Sequence, residues 1–353
     1  SMRIDTDERH GQAVGSVIRM SGRVLGLRLS VEESVIRRDP PREKVWETVG
    51  EPRLLVIGAY RMGFTIAPMG GGTRLIVFID YRLPTQGIGW VLGLLLGRPY
   101  AAWCTRRMAG VHGRPLIGTI VKPNVGLSAE ATGALVGELC EAGIDFVKDD
   151  EVCANPDHAP IAQRIKAVMA QVRRWQERSG KRVMVAFNIT DEHDAMLRHA
   201  ELVAREGGSC VMASLNWCGF SSIQALRRRT DLVVHGHRNG FGMFARHPAL
   251  GMDFQPWQTL WRLAGVDHLH VGGYGSKFYE SDEEVGRSIR DCLAPMFGGY
   301  RVMPAISSAQ WAGSAMDIHS TTGTLDVVHL AGGGIIAHPG GTAAGVRSMQ
   351  QGW

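Results

Sequence analysis

The sequence predicts a (β/α)8 barrel that follows a smaller α+β domain. From about residue 115 onward, short apolar segments alternate with segments of helical periodicity. They form eight strand–helix units in roughly 240 residues, which is the length and rhythm of such a barrel. Residues 1–100 do not follow this alternation. No G-x-G-x-x-G turn follows the first strand of the alternating part, which disfavours the alternative of a doubly wound dinucleotide-binding sheet.

Two domains are therefore expected, residues 1–110 and residues 111–353. In the first domain, Leu54–Ala59 and Thr73–Asp80 are predicted strands, and Gly70-Gly71-Gly72 is a predicted turn. In the second domain, the last helix of the barrel is expected to be truncated at the end of the sequence. The length of the chain suits one large domain and one smaller domain.

Each unit of the barrel begins with an apolar strand and continues into a helix. The predicted strands are Leu116–Lys122, Ile144–Lys148, Arg182–Ile189, Cys210–Ser214, Leu232–His237, His268–Gly272, Arg301–Ile306 and Val327–Ala331. The predicted helices cover residues 128–142, 160–178, 191–206, 220–229, 254–264, 282–295 and 310–317, with a short helical start after the last strand. Ser128 and Gly143 suit the start and the stop of the first helix, because serine caps amino termini and glycine ends helices.

Composition and charge disfavour several classes of protein. With 44% hydrophobic and 21% charged residues, the chain is typical of a soluble globular protein. The formal charge of +5 is dispersed, and Arg227-Arg228-Arg229 is interpreted as a solvated helix end, so no nucleic-acid partner is expected. The longest apolar run, Gly87–Gly97, is too short to span a bilayer. The six cysteines form no C-x-x-C pair, so reduced thiols in a cytoplasmic enzyme are expected.

The run Asp145-Phe146-Val147-Lys148-Asp149-Asp150-Glu151 carries the most informative chemical signal in the sequence. It is a short apolar strand that ends in one lysine beside three carboxylates, and strand alternation places Lys148 and Asp150 on one side. A free Lys148 amine would form an ion pair. A Lys148 that has reacted with carbon dioxide would instead be an anionic carbamate, which with Asp150 and Glu151 would form an all-oxygen site for Mg2+.

Polar side chains stand at nearly every predicted strand end, where a parallel barrel gathers its chemistry. They are Lys122, Lys148, Asp150, Glu151, Asn188, His235, His237, Arg238, His268, His270, Lys277, Ser307 and Ser308. A buried histidine or asparagine at one strand end is more often a hydrogen-bonded core residue, but the concurrence of so many favours a catalytic site. Gly332-Gly333-Gly334 after the last strand would present free N–H groups to a phosphate, with a plain tight turn as the alternative.

Six motifs at these positions resemble the large chain of RuBisCO in their order and spacing. They are Gly118–Ser128, Asp145–Glu151, His235–Arg238, His268–His270, Lys277 and Gly332–Pro339. The likeness covers roughly residues 112–345, whereas the N-terminal region agrees only in character. The motifs are specific because all six agree together.

The resemblance implies a role for each matching residue. Lys148 matches the carbamylated lysine, and Asp150 and Glu151 match the other Mg2+ ligands. Lys122 matches the family lysine that moves protons at the enolising carbon, and His237 matches an active-site histidine. Arg238 and His270 match residues that hold a phosphate, and Gly332 and Gly333 match the other phosphate cradle. Lys277 matches the lysine on a mobile loop over the substrate, and Ser307 matches a serine that contacts substrate hydroxyls. Glu32 faintly matches the glutamate that completes a neighbouring chain's site.

Departures from the family pattern argue against carbon fixation. Asn124 stands where carboxylases have the second lysine of Lys-Pro-Lys, and Ile120 stands where the family has a threonine near the metal. Ser307-Ser308-Ala309-Gln310 replaces a Ser-Gly-Gly phosphate turn. The segment before the barrel also lacks a clear counterpart of the Asn-containing segment that helps to hold substrate and metal. A RuBisCO-like protein of form IV is therefore implied, rather than a carboxylase.

The resemblance implies Mg2+-dependent enolate chemistry on a small substrate with one phosphate. Residues 235–240 and 261–268 are more similar to decarboxylases or transcarboxylases of 3-oxo sugar-acid phosphates, of the 3-oxo-isoapionate 4-phosphate type. An enolase or isomerase of methionine salvage that acts on a methylthio ketose phosphate is the alternative, and a barrel that binds a sugar phosphate without turnover is a third hypothesis. A homodimer is expected, with neither a membrane nor a nucleic acid as partner.

Overall fold

The computed structural model of the chain describes residues 3–24, 27–50, 52, 59–69, 72–81, 100–247, 250–296 and 300–353. The chain divides into two compact units. One unit comprises Ser1–Arg98, Met243–Met252 and Pro295–Tyr300, and the other comprises Pro99–Gly242, Asp253–Ala294 and Arg301–Trp353. The first is built on an antiparallel sheet, and the second is built on a closed parallel barrel.

Six antiparallel strands in sequential order form the described sheet of the N-terminal unit. They are β1 (Arg3–Thr6), β2 (Val17–Val24), β3 (Leu27–Asp39), β4 (Glu43–Thr48), β5 (Tyr60–Met69) and β6 (Gly72–Tyr81). The predicted strand Thr73–Asp80 lies within β6 and is confirmed. The predicted strand Leu54–Ala59, apart from Ala59, and the predicted turn at Gly70-Gly71 lie outside the described residues.

Eight parallel strands close into a barrel in the second unit and follow the chain order around it. They are β7 (Leu116–Ile120), β8 (Phe146–Lys148), β9 (Met184–Asn188), β10 (Cys210–Ser214), β11 (Val233–His237), β12 (His268–Gly272), β13 (Met303–Ile306) and β14 (Val328–Leu330). All eight predicted strands are confirmed. Most are shorter than the predicted apolar runs, because residues such as Val121, Ile144 and Ile189 remain buried just beyond the strand ends.

Helices accompany the strands of the barrel in the order that the sequence predicts. The helices of the described residues are α1 (Tyr100–Ala109), α2 (Ala129–Glu141), α3 (Ile161–Ser179), α4 (His193–Arg205), α5 (Leu215–Cys218), α6 (Phe220–Arg229), α7 (Gly242–Ala245), α8 (Phe254–Ala264), α9 (Asp282–Leu293), α10 (Ser314–Thr322), α11 (Gly333–Ile336) and α12 (Thr342–Gln351). All residues of α7 except the first belong to the first unit. The helix expected at 310–317 begins only at Ser314, because Ser308 and Ala309 adopt left-handed backbone conformations before it. The sequence did not predict α1, α5 or α7.

Side chains fill the interior of the barrel, so it is a packed core and not a pore. At its amino-terminal end, Leu116 and Phe146 pack with Ala109 of α1. Glycine is required at position 118 by this packing, since a Cβ atom at Gly118 would lie 2.5 Å from Cδ2 of Leu330 and 3.1 Å from Cβ of Phe146. The apolar filling of this end leaves the carboxyl end of the barrel for polar side chains.

Arginine–aspartate pairs fasten the amino-terminal end of the barrel. Arg114 donates to both carboxylate oxygens of Asp145, at 2.5 and 3.0 Å. Arg227 donates to Asp267 at 2.6 Å, and the same carboxylate accepts the backbone N–H of Val234 in β11 at 2.8 Å. Arg227 therefore stabilises the amino-terminal end of the barrel. The interpretation of Arg227-Arg228-Arg229 as a solvated helix end is wrong for this residue.

Two expectations about the whole chain concern membranes and cysteines. None of the helices in the described part of the chain is long and apolar enough to cross a membrane. The described cysteines, Cys140, Cys153, Cys210, Cys218 and Cys292, are free; the first, third and fifth are buried, and the other two are partly exposed. Burial raises the pKa of Cys140 and Cys292 to about 12, so both thiols stay protonated near neutral pH.

Candidate active site

Lys148 is the last residue of β8 and lies buried at the carboxyl end of the barrel, with 1% of its surface exposed. Its Nζ donates to the carbonyl oxygen of Asp149 at 2.8 Å and to Oε2 of Glu151 at 2.9 Å. Burial opposes the ionisation of Glu151, but the Lys148 ammonium and smaller contributions outweigh burial and lower the pKa of Glu151 to about 2. Glu151 is therefore an anion near neutral pH.

Asp150 faces Lys122, which follows the neighbouring strand β7. Nζ of Lys122 donates to Oδ2 of Asp150 at 2.5 Å. The side chain of Asp150 is 3% exposed and that of Lys122 is 42% exposed, so the carboxylate lies deep and the lysine lies at the mouth. The structure thus brings together the three predicted metal ligands, Lys148, Asp150 and Glu151, and the lysine predicted to move protons.

Two side chains fix the loop after β8, which we call the β8 loop (residues 149–160). Nδ2 of Asn188 donates to the carbonyl oxygens of Asp150 at 3.0 Å and Glu151 at 3.2 Å. Arg164 of α3 is 1% exposed and donates to the carboxylate of Asp149 at 3.2 Å. It also donates to three carbonyl groups of the loop, those of Cys153, Ala154 and Ala159. The carboxylates beside Lys148 are therefore held by a preformed loop.

The supporting role of Arg164 was not predicted, although the sequence contains a signal for it. Arg164 lies on the buried stripe of α3 together with Ile161, Ile165 and Val168. A charged residue at a core position of an apolar helix stripe needs a buried partner, because an isolated charge is costly to bury. That partner is Asp149, which stands directly after Lys148.

His237 of β11 lies beside the same carboxylates. Its Nε2 is 3.6 Å from Oε2 of Glu151, and its Nδ1 contacts both the backbone N–H and the side chain of Asn239, at 3.2 and 3.0 Å. Burial, followed by the charge of Lys148, lowers the pKa of His237 to about 4. The ring is therefore neutral near pH 7 and is held in one orientation by Asn239.

His270 and Ser307 form a second pair beside His237. Nδ1 of His270 is 3.0 Å from Oγ of Ser307, and the rings of His270 and His237 are 4.3 Å apart. Burial lowers the pKa of His270 well below its ordinary value. A neutral His270 would contact a phosphate as a hydrogen-bond partner and not as a cation.

Arg238 forms a two-pronged ion pair with Glu280, a residue that the sequence did not single out. Nη1 donates to Oε1, and Nη2 donates to Oε2 at 2.6 Å. The two side chains are only 12% and 8% exposed, and the guanidinium also lies 4.9 Å from the centre of the Phe254 ring. The predicted role of Arg238 as a phosphate ligand therefore requires Glu280 to move away or to share the guanidinium. No local pattern predicts a pair of residues 42 positions apart.

The remaining predicted side chains are wholly or partly exposed. Lys277 lies exposed on the loop after β12, with Nζ 5.8 Å from the centre of the Phe278 ring, and no hydrogen bond or ion pair among the described residues joins it to Lys148. Asn124 is exposed in the loop after β7, where it lines a small cavity. Glu32 lies on β3 of the N-terminal unit and pairs with Arg19 at 2.7 Å.

Comparison with known proteins identifies the family. Residues 103–353 match the family described as ribulose bisphosphate carboxylase large chain, catalytic domain. The chain belongs to the RuBisCO large-chain family. Within the family it resembles RuBisCO-like, form IV, members. The crystal structure of a rubisco-like protein from Burkholderia fungorum is 58% identical, has a TM-score of 0.72, and covers 80% of this chain and 69% of that chain.

Curated relatives give a more specific likeness. A 3-oxo-isoapionate-4-phosphate decarboxylase of Rhizobium rhizogenes is 38% identical over 352 residues, which covers 95% of this chain and 82% of the relative. A 3-oxo-isoapionate-4-phosphate transcarboxylase/hydrolase of Xanthobacter autotrophicus is 44% identical over 284 residues, which covers 80% of this chain and 67% of the relative. The chain spans 60% of the length of two other curated relatives.

Of the two turns that the resemblance matches to phosphate cradles, one keeps its glycines and the other does not. Gly332 and Gly333 stand at the start of α11, where the first N–H groups have no acceptor within the helix. In the turn after β13, Ser308 and Ala309 have φ angles of 82° and 53°, a region that favours glycine. The turn therefore keeps backbone conformations typical of glycine, although it differs in residue type from the Ser-Gly-Gly pattern.

The residues around Lys148 fit the Mg2+ that the RuBisCO family uses. In the described part of the chain, no three His, Cys, Asp or Glu side chains are arranged to hold a metal ion by themselves. The fit therefore depends on Lys148. As a carbamate it would replace one positive charge by a negative oxygen donor, and with Asp150 and Glu151 it would complete an anionic oxygen set that suits a hard divalent cation.

Proposed function

We propose that the chain is an Mg2+-dependent RuBisCO-like enzyme that decarboxylates or transcarboxylates a 3-oxo sugar-acid phosphate, with 3-oxo-isoapionate 4-phosphate as the candidate substrate. Buried Lys148 is the observation that carries this proposal, because it bonds to Glu151 at 2.9 Å beside Asp150 at the carboxyl end of the barrel. The relatives' names suggest the substrate class, and the chain's own residues suggest the acid–base chemistry.

Lys148 as a carbamate, Asp150 and Glu151 would hold the Mg2+. When bound, the ion stabilises the negative oxygen of an enolate. Without the modification, the Lys148 ammonium itself offsets the charge of Glu151. Reaction with carbon dioxide reverses the charge of Lys148, so the two carboxylates and the carbamate then need a cation of higher charge between them.

Lys122 is the residue that would move the proton. Its Nζ bonds to Asp150 at 2.5 Å, yet the side chain is exposed enough at the mouth to reach a bound substrate. In decarboxylation, the bond from the substrate carbon to its carboxylate carbon breaks, carbon dioxide leaves, and the electron pair stays on the enolate. Lys122 would then give a proton to that carbon as a general acid.

The charge distribution supports a substrate with one phosphate. Glu280 neutralises Arg238, and His270 is uncharged, so this side of the site offers little net positive charge to a phosphate. The Gly332–Gly334 turn after β14 remains as the phosphate cradle. Ile120, which stands where the family has a threonine, directs its Cδ1 towards Gly332, 3.8 Å from the position of an added Cβ atom. Ile120 and exposed Asn124 support a reaction other than carbon fixation.

We also propose that the protein is a homodimer in the cytoplasm, with neither a membrane nor a nucleic acid as partner. The resemblance to the family supports this. In a dimer of this kind, Glu32 would complete the site of the neighbouring chain, and Lys277 would close over the substrate. Light scattering would report the mass of the assembly, and a monomer would contradict the shared site.

Incubation of 3-oxo-isoapionate 4-phosphate with the enzyme, Mg2+ and bicarbonate tests this function. Loss of the substrate is followed by 31P NMR, and released carbon dioxide is measured in parallel. The wild type is expected to turn the substrate over, and Lys148→Ala is expected to lose roughly 100-fold or more of the rate, because the enolate loses its main stabiliser. Lys166→Ala, on the exposed face of α3, is the matched control and should keep the rate.

The alternatives give different results with the same preparations. Deuterium exchange from solvent into a methylthio ketose phosphate, lost in Lys122→Met and without decarboxylation, would favour the enolase or isomerase of methionine salvage. Binding of sugar phosphates without exchange or decarboxylation would favour the non-catalytic barrel. Turnover that is unaffected by Lys148→Ala, or by removal of Mg2+ and bicarbonate, would contradict the carbamate mechanism.

A further inference from the structure

Five side chains form one continuous line of hydrogen bonds through the interior of the barrel. Oγ1 of Thr105 lies 2.7 Å from Nε2 of His268, and Nδ1 of His268 lies 3.2 Å from Nδ1 of His235. Nε2 of His235 lies 2.7 Å from Nε2 of His270, and Nδ1 of His270 lies 3.0 Å from Oγ of Ser307. The line runs from α1, at the amino-terminal end of the barrel, to the turn after β13 at the active-site mouth.

The line is closed to solvent along most of its length. Thr105, His235 and His268 are fully buried, and His270 is 2% exposed. The Phe146 ring packs 5.3 Å from the ring of His235 and 5.9 Å from that of His268. Each imidazole nitrogen has a hydrogen-bond partner within the line. Because water cannot reach these buried nitrogens, their hydrogen bonds must be made within the line.

Proton counting links the three imidazoles. A contact between two ring nitrogens is a hydrogen bond only when one nitrogen carries a proton and the other does not, and a neutral imidazole carries one N–H. Burial lowers the pKa of all three rings, that of His268 to about 3, which keeps them neutral. If His268 donates to His235, then His235 must donate to His270, which must donate to Ser307.

The opposite order is the only other arrangement in which every contact is satisfied. Ser307 then donates to His270, His270 to His235, and His235 to His268, whose Nε2–H points at Thr105. In the first order His268, His235 and His270 carry their protons on Nδ1, Nε2 and Nδ1. In the second order they carry them on Nε2, Nδ1 and Nε2.

We propose that Thr105 and His268 are positioning residues that, through the coupled tautomers of His235 and His270, determine whether the Ser307 hydroxyl presents a donor or an acceptor to a bound ligand. In the first order Ser307 accepts from His270, and its own proton is available to a ligand oxygen. In the second order the proton points into the barrel, and Ser307 offers lone pairs to a ligand hydroxyl. A residue on α1 thereby acts on a ligand contact at the opposite end of the barrel.

The role of Ser307 as a ligand contact rests on the proposed function, whereas the coupling of the tautomers does not. Removal of the hydroxyl at either end tests the coupling without substrate, so failure of the coupling and failure of the proposed function are distinguishable. In Thr105→Val, Nε2 of His268 loses its partner, and an unpaired nitrogen lone pair is less costly there than an unpaired N–H group. His268 then carries its proton on Nδ1, which imposes the first order. In Ser307→Ala, the same reasoning at Nδ1 of His270 imposes the second order.

The measurement is 15N–1H multiple-bond NMR of protein labelled at the imidazole nitrogens, which distinguishes the two tautomers of each ring. The expected result is opposite tautomers of all three rings in the two variants. Identical tautomers of His235 in Thr105→Val and Ser307→Ala would overturn the proposal, and so would a change confined to the ring beside each substitution. Thr105→Ala makes the same test with a smaller side chain where valine prevents folding.

Two further variants separate coupling from general disturbance of the core. Thr105→Ser restores the hydroxyl and is expected to show the tautomers of the wild type. Ser314→Ala removes a hydroxyl 3.4 Å from Nε2 of His329, a buried histidine outside the line, and should leave the three tautomers unchanged. A tautomer change in Ser314→Ala as large as that between the end variants would contradict a specific relay.

Discussion

The loops that follow β8 and β12 both leave the carboxyl end of the barrel, but side chains hold them in different ways. Arg164 and Asn188 reach into the β8 loop and donate to five of its carbonyl groups. The loop after β12, residues 273–281, which we call the β12 loop, is held chiefly near its two ends. Nε2 of Gln310 donates to the carbonyl of Tyr274 at 3.0 Å, and Glu280 pairs with Arg238.

Under the proposed function, the two loops would have different tasks. A loop that carries metal ligands gains from being fixed before the ligand arrives, because ordering it later would cost conformational entropy. A loop that closes over a substrate needs few contacts in its middle, and Lys277 and Phe278 at the centre of the β12 loop are exposed. We therefore interpret the β8 loop as the rigid half of the site and the β12 loop as the movable half.

The largest expected effect is that of Arg164→Met, which removes the support of the rigid loop. Asp149 would stay buried without its charged partner, and three carbonyl groups would lose their donor. We expect the free energy of unfolding to fall by roughly 3–5 kcal/mol, as measured by urea denaturation. Arg174→Met, on the exposed face of the same helix, is the control and should change it by less than about 0.5 kcal/mol. Equal effects of the two substitutions would show that the β8 loop does not depend on Arg164.

Glu280→Gln tests the anchor of the movable loop. The substitution leaves Arg238 without a counter-charge, so we expect the free energy of unfolding to fall by about 2 kcal/mol. The freed guanidinium should at the same time bind inorganic phosphate roughly tenfold more tightly in calorimetric titration. Glu283→Gln removes the exposed pair with Arg287 and should change neither quantity measurably. Unaltered phosphate affinity in Glu280→Gln would contradict the view that Glu280 keeps Arg238 from binding phosphate.

The smallest expected effect concerns the turn that supports the start of the β12 loop. Ser308 holds a positive φ angle, and its Oγ has no hydrogen-bond partner among the described residues. Ser308→Gly removes the unpaired hydroxyl and places at this position a residue that adopts a positive φ angle without strain. We therefore expect the free energy of unfolding to rise by about 1 kcal/mol. Ser320→Gly, within α10, should lower it by about 0.5–1 kcal/mol in the same denaturation experiment. A loss in Ser308→Gly equal to that in Ser320→Gly would contradict the assignment of strain.

The sequence predicts the barrel well because its signals are local. Buried parallel strands are continuous apolar runs, and helices carry their own start and stop residues, as Ser128 does when its hydroxyl caps α2. The short helices α5 and α7 have too few residues to show a helical period. The late start of α10 depends on the left-handed residues Ser308 and Ala309, whose types do not favour that conformation.

The proximity of the candidate site residues was predictable where they stand at the ends of adjacent strands. It was not predictable where residues distant in sequence pair. Lys148, Asp150 and Glu151 are consecutive or nearly so, and Lys122 follows the adjacent strand, so a parallel barrel brings them together. Glu280 pairs with Arg238 across separate loops, and Thr105 reaches His268 over 163 positions of sequence. Such contacts depend on side-chain packing in the finished fold, which a single sequence does not display.

Whether Lys148 becomes an anionic metal ligand can be measured by 13C NMR with labelled bicarbonate. We expect a protein-bound carbamate signal in the wild type that strengthens when Mg2+ is added. The signal should be absent from Lys148→Arg, because a guanidinium does not form the carbamate, and present in Lys166→Arg. A wild type without the signal at saturating bicarbonate and Mg2+, or a Lys148→Arg variant that keeps it, would show that Lys148 does not become the carbamate ligand.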